Sequence, residues 1–125
     1  MKRKIGENVE WKKSPPELIE LFAELNGPFE CERKKMFGYP VCYVNGNMFT
    51  GLYEDKIIIR LSNEEKGEAL SKKDLFGPFE SMGKTMKQYV SIIDPLTKDR
   101  SFIASWLNKS FEYTKSLPPK EKKKR

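Results

Sequence analysis

Asn45-Gly46 lies between Val41-Cys42-Tyr43-Val44 and Met48-Phe49-Thr50-Gly51-Leu52-Tyr53, and no other stretch constrains the fold as strongly. A type I′ turn needs positive φ at both central residues, and Asn-Gly meets that need at low cost, so the flanks predict a tight antiparallel hairpin. Glu54-Asp55 predicts a second tight turn, into Lys56-Ile57-Ile58-Ile59-Arg60-Leu61. Alternation gives Ile57, Ile59 and Leu61 to one face of that strand and Lys56, Ile58 and Arg60 to the other. The expected unit is a three-stranded antiparallel meander within a β region at about 31–61. One of its faces is committed to a core.

Helical signals bracket this meander. Ser14-Pro15-Pro16-Glu17 predicts a helix start by a Ser14 cap, Pro15 at the first position and Glu17 in a capping box. Leu18, Leu21, Phe22 and Leu25 then repeat at helical spacing, and Asn26-Gly27-Pro28 predicts the stop, with Gly27 at positive φ. Ser62-Asn63-Glu64-Glu65 is a second capping box, opening a short helix to about Ser71. Residues 74–84, with Gly77-Pro78 and Gly83, read as loop or irregular edge, with room for a short strand near Phe79. Met86 to Ile92 reads as a strand, and Asp94-Pro95 breaks the chain before a long helix at roughly 97–116 with Phe102, Ile103, Trp106, Leu107 and Phe111 on one stripe. The expected class is therefore α+β, an antiparallel sheet packed with helices in the order α-β(3)-α-β(1–2)-α.

At 125 residues the chain suits one domain, expected at 14–117 between basic segments at 1–13 and 118–125. The net charge of +6 sits on those ends. Residues 1–13 carry +3 and residues 120–125 carry +4, whereas 14–119 carry 14 basic against 15 acidic residues. A basic domain would point to nucleic acid. Here only the tails could serve it, and short basic tails are commonly just solvated. The charged start has no apolar stretch behind it, and no apolar run approaches the roughly 20 residues of a membrane span, so the expected location is the cytoplasm.

The sequence contains no histidine, which removes the usual general base and the Ser-His and Cys-His pairings. Cys31 and Cys42 have neither a CxxC spacing nor a nearby third ligand, so buried or half-buried thiols are expected in place of a zinc or redox site. Gly77 to Thr85 ends in Gly-Lys-Thr, but five residues separate Gly77 from Gly83 and a strand follows, so it fails as a phosphate loop. Glu64 and Glu65 fit a helix first turn, and Trp106 with Phe102 fits a core. Arg33-Lys34-Lys35 is the basic cluster within the domain; alternation splits it between two faces, and lysines there suit a guarded strand edge. No enzyme, cofactor or metal site is expected.

The segment from Arg33-Lys34-Lys35-Met36-Phe37-Gly38 through Val41-Cys42-Tyr43-Val44-Asn45-Gly46-Asn47-Met48-Phe49 resembles the N-terminal domain of the TfoX (Sxy) competence regulators. The likeness continues at Leu52, Tyr53, Lys56, Pro78-Phe79, Gly83-Lys84-Thr85-Met86, Tyr89 and Trp106, spanning roughly 11–117. Met36, Phe37, Gly38, Asn45, Gly46, Met48 and Phe49 carry the most specific part of the motif. Tyr39-Pro40 departs from the glycines that often follow Met-Phe-Gly in that family, and stiffens the turn. The resemblance implies an α+β fold similar to the secretion-chaperone-like group. It also implies a stand-alone N-terminal domain, without the second domain of full-length regulators. For those relatives it implies positive control of DNA-uptake genes together with the cyclic-AMP receptor protein.

The functional expectation is a non-enzymatic regulatory or protein-interaction module. Its candidate contact residues are Arg33, Lys34, Lys35, Lys56, Ile58 and Arg60. Two alternatives stay open: a DNA-associated regulator using the basic tails, and a small-molecule sensor with a pocket between helix and sheet. Homodimerisation through a sheet edge or the last helix is also open.

Overall fold

The structure, a computed structural model, describes residues 13–81 and 83–119. The elements in chain order are α1 (Pro16–Asn26), β1 (Glu32–Met36), β2 (Tyr39–Val44), β3 (Asn47–Tyr53), β4 (Lys56–Arg60), α2 (Asn63–Ser71), β5 (Phe76–Ser81), β6 (Lys84–Ile92), a 3-10 turn (Pro95–Thr97) and α3 (Arg100–Ser116). The six strands form one antiparallel sheet in the order β1-β2-β3-β4-β6-β5. The α+β class holds.

The Asn45-Gly46 turn forms as expected, with φ of 54° and 79°, and Glu54 takes φ 56° in the next turn. A third such turn lies in the Met-Phe-Gly motif, and the strand it adds to the meander was not foreseen. Phe37 and Gly38 take φ of 56° and 83° and fold β1 back onto β2 in register, Met36 facing Tyr39. The meander therefore has four strands. The segment at 74–84 holds the short strand expected near Phe79: β5 is an edge strand paired with β6 in a hairpin, and its register shifts between Pro78 and Glu80, so the edge is irregular as read. Pro78 is tolerated there because β5 is the outermost strand, where one side of the backbone needs no ladder partner. The strand that follows Gly83-Lys84-Thr85 belongs to this hairpin.

Two helix ends differ from expectation. Pro15, not Ser14, is the N-cap of α1, and Pro16 opens the helix. The Ser14 hydroxyl instead donates to the Glu54 carbonyl at 2.6 Å, tying the chain to the β3–β4 turn. Gly27 stays right-handed at φ −54°. A left-handed cap is unnecessary because the Asn26 carbonyl accepts from Arg33 at 3.0 Å and from the Phe29 N–H at 3.1 Å. The Ser62 cap of α2 forms as expected, accepting from the Glu65 N–H at 3.1 Å.

The helices cover one face of the sheet. Leu18, Phe22, Ile103, Trp106 and Leu107 pack with Phe49, Leu52, Ile57, Ile59, Val90 and Ile92 in one buried cluster. Phe29, Phe49 and Phe111 form a three-ring group within it, with centroids 4.9 to 5.8 Å apart. Trp106 meets Phe76 nearly edge-on at 4.8 Å, so it is a core residue. The stripe on α3 also includes buried Ser110 and Thr114.

Ser110 sits opposite a break in the ladder. β3 carries one extra residue against β2, the register passing from Cys42↔Thr50 directly to Tyr43↔Met48. Such a bulge bends the strand and strengthens its twist. On the other side the β3–β4 ladder begins at Thr50↔Ile59, so Phe49 and Arg60 are not laddered to each other. The Ser110 hydroxyl fills that gap, donating to the Phe49 carbonyl at 2.6 Å and accepting from the Arg60 N–H at 3.1 Å.

The second face is curled. Val41, Met48, Ile58 and Phe79 are buried, yet none belongs to the helix-side cluster. β3 and β5 are separated by β4 and β6, which in a flat sheet would put their backbones about 14 Å apart. Their rings nevertheless meet, Tyr53 and Phe79 lying 5.2 Å apart. Gly51 permits the close packing on this face, since a Cβ there would lie 2.6 Å from Val41 Cγ1.

Two stability measurements follow from this geometry. Ser110→Ala leaves a buried carbonyl and a buried N–H without their partner, and urea unfolding is expected to show a loss of about 2–4 kcal/mol. Ser105→Ala, on the exposed side of the same helix, should stay within about 0.5 kcal/mol. Gly51→Ala is expected to cost about 1–3 kcal/mol by overpacking. Combined with Val41→Ala, the loss should fall below the sum of the two single losses; strict additivity would contradict the close approach.

Candidate functional site

The curl brings residues from all six strands around one open cleft of ≈ 430 Å³ on the second face. Tyr43 from β2, Met48 from β3, Arg60 from β4 and Tyr89 from β6 line its floor and wall; Met36 from β1 and Phe79 from β5 close in from the two edges. Asn47, Met86 and Gln88 complete the rim. The size lies in the usual range for a small-molecule site, about 300–1,000 Å³.

Arg60 supplies the charge. Its guanidinium lies 5.8 Å from the centre of the Tyr89 ring. Its Nε is buried and has no hydrogen-bond partner among the described residues. The ion pairs among the described residues join Lys34 to Glu32, Lys56 to Asp55 and Arg100 to Glu24, and none engages Arg60. Burial raises the Tyr89 phenol above its ordinary value, with the Arg60 charge pulling the other way. The Tyr89 hydroxyl donates to the Met48 carbonyl at 3.4 Å, which holds the ring against the wall.

The other candidate contact residues are scattered. Arg33 points to the helix side and donates to the Asn26 carbonyl, a structural tie between β1 and α1. Lys34 lies on the opposite side, 5.0 Å over the Tyr43 ring and 3.8 Å from Glu32. Lys35 is exposed on the same edge strand. Lys56 pairs with its neighbour Asp55 at 3.1 Å. Ile58 is a correction: the strand's second face is covered by the curl, so Ile58 is only 2% exposed and has no open surface to offer.

The motif residues divide between structure and cleft. Phe37 is 52% exposed in the β1–β2 turn. The Asn45 side-chain amide donates to the Lys115 carbonyl at 3.1 Å, and that of Asn47 to the Pro118 carbonyl at 3.2 Å, so the hairpin tip satisfies carbonyls at the end of α3. Phe49 belongs to the helix-side core, while Met36 and Met48 line the cleft. Tyr43, Phe79, Met86, Gln88 and Tyr89 join them from distant stretches of sequence. Nothing in their local spacing marks them as a set, because the bulge and the curl bring them together.

The interior between the helices and the sheet is filled by side chains of the apolar cluster, while a pocket of ≈ 300 Å³ lies between Ser14 and Ile19 at the start of α1 and Phe37 to Pro40 at the start of β2. Cys31 and Cys42 are free thiols, and burial, followed by the nearby Cys31, pushes the Cys42 thiol up to about 12. Among the described residues no three of Cys, Asp and Glu gather as a metal-ligating group. No described helix is long and apolar enough to cross a membrane. The basic runs at 1–12 and 120–125, on which a DNA-binding reading depends, lie outside the described residues.

No curated protein matches the chain. The family model for the TfoX N-terminal domain matches residues 20–113, which takes in the later part of α1, the whole sheet and most of α3. Three-quarters of the sequence, including both hairpin turns of the motif and the strands that build the cleft, thus follows one family pattern, and the chain belongs to the TfoX N-terminal domain family.

Proposed function

We propose that this TfoX-type domain is a non-enzymatic regulatory module that recruits a protein partner through the outer edge of β1. The observation that carries this reading is the state of that strand. It ends the sheet, and Glu32, Arg33, Lys34 and Lys35 are all exposed along it. A strand edge presents N–H and C=O groups that an added strand can pair, and alternate side chains then set the choice of partner. Lys34 and Lys35 guard this edge against like copies and favour an acidic strand.

The residue chemistry supports binding over turnover. The chain has no histidine, and its buried thiol is held neutral across the physiological range. Regulation through contacts also agrees with the family, whose full-length members act on transcription with a protein partner.

Two experiments test the reading. Affinity capture from the native host is expected to recover a specific partner with the wild-type chain and with Lys56→Glu, and to lose it with Lys34→Glu/Lys35→Glu. Capture indifferent to the β1 charges, or a turnover activity on a small molecule with no partner recovered, would contradict it. Separately, in a Cys31→Ala background Cys42 should resist a thiol reagent at pH 8 until denaturant is added. The folded thiol is raised to about 12 against an ordinary 9.0. Its stabilising contribution is therefore complete below pH 9 and is lost as pH rises through about 12. Rapid native modification at pH 8 would show the thiol to be open.

A further inference from the structure

The cleft on the curled face is not used by the edge reading, and it has a chemistry of its own. A guanidinium half-buried among aromatic and thioether groups is costly unless something satisfies its donors. Arg60 meets the Tyr89 ring on one side, its Nε–H has no partner among the described residues, and none of their carboxylates pairs with it. Around it the walls are soft and flat: Met36, Met86 and Phe79 on the edges, Tyr43 and Tyr89 on the floor. We infer that this cleft binds a small aromatic carboxylate, with the carboxylate on Arg60 and the ring between Met36, Phe79 and Met86.

Three points select that ligand class. The guanidinium fork matches a carboxylate through two parallel N–H donors, and an ionic acceptor makes such bonds stronger than neutral ones. Arg60 is the cleft's own cation, so it balances a single negative charge. A phosphate monoester carries nearer two at neutral pH and would leave charge uncompensated against apolar walls. The thioethers of Met36 and Met86 adapt to a planar ring and make favourable contacts with aromatic faces. A cleft of ≈ 430 Å³ accepts one or two fused rings and excludes a folded partner. This inference does not rest on the β1 edge: loss of partner capture leaves it standing, and loss of ligand binding leaves the edge reading standing.

The test uses the full chain and 2-naphthoate as the probe, followed by heteronuclear NMR that includes the Arg60 Nε–H. Saturable binding is expected, with shifts concentrated at Arg60, Tyr43 and Tyr89. The neutral isostere 2-naphthamide should bind about tenfold or more weakly, corresponding to about 1.4 kcal/mol. Arg60→Lys keeps the charge but loses the fork, and should weaken 2-naphthoate by a similar factor, while Lys56→Gln leaves it unchanged. Should Arg60→Lys fail to fold, the carboxylate–amide comparison on the wild-type chain decides alone. Equal binding of acid and amide, tighter binding of 2-naphthyl phosphate, shifts centred away from Arg60, or no saturation by about 5 mM would each overturn the assignment.

Discussion

The Ser110 hydroxyl joins three elements at the point where the ladder is broken. The bulge in β3 leaves the Phe49 carbonyl and the Arg60 N–H without each other, and buried backbone groups cannot be left unpaired at small cost. One hydroxyl satisfies both, because it donates with its hydrogen and accepts with a lone pair. That fixes α3 on the sheet at the residue where the sheet bends. It also makes the bulge affordable, and the bend has two consequences: Phe49 joins Thr50 on the helix side, and the outer strands close toward one another on the far side.

From that bend come two apolar regions of unequal kind. The larger lies under the helices and is filled, with Phe49, Phe76, and Ile57 and Ile59 of β4 packed against α1 and α3. The smaller lies in the curl, where Val41, Ile58 and Phe79 are buried by neighbouring strands and by ring contacts such as Tyr53 to Phe79. Next to this second region the sheet stays open around Arg60. The motif shared with the TfoX N-terminal family supports both regions. Its turns at Phe37-Gly38 and Asn45-Gly46 set the hairpins, Asn45 and Asn47 brace the end of α3, and Met36 and Met48 reach into the cleft.

Much of the helix-side architecture was legible in the sequence because it depends on local rules. Asn45-Gly46 forces a turn by its backbone preference, Ser62 caps by a hydroxyl within reach of Glu65, and the α3 stripe follows from helical spacing. The second face was not legible, for a physical reason. Strand alternation assigns Ile58 to an outer surface, but whether that surface is solvent or a second core depends on curvature. Curvature here depends on one extra residue in β3, on a serine some sixty positions later and on the register shift beside Phe79 in β5. Ser14 escaped a local reading in the same way: its hydroxyl had a nearer claim on Glu54 than on the helix it precedes. Strand β1 was legible as a guarded edge at Arg33-Lys34-Lys35 but not as a member of the meander, because it lacks apolar alternation; an edge strand that buries little needs none. The cleft residues share no motif, so they become a set only in three dimensions.

The central claim is that the sheet is curled, so that β3 and β5 touch across two intervening strands. An aromatic NOESY spectrum of the uniformly labelled chain tests this directly. Cross-peaks between the ring protons of Tyr53 and Phe79 are expected, together with those between Phe79 and Tyr89, whose centroids lie 5.2 Å and 6.3 Å apart. A spectrum with all three rings assigned, the β4–β6 ladder intact and no Tyr53–Phe79 contact would mean an open, flat sheet, and the cleft around Arg60 would not exist.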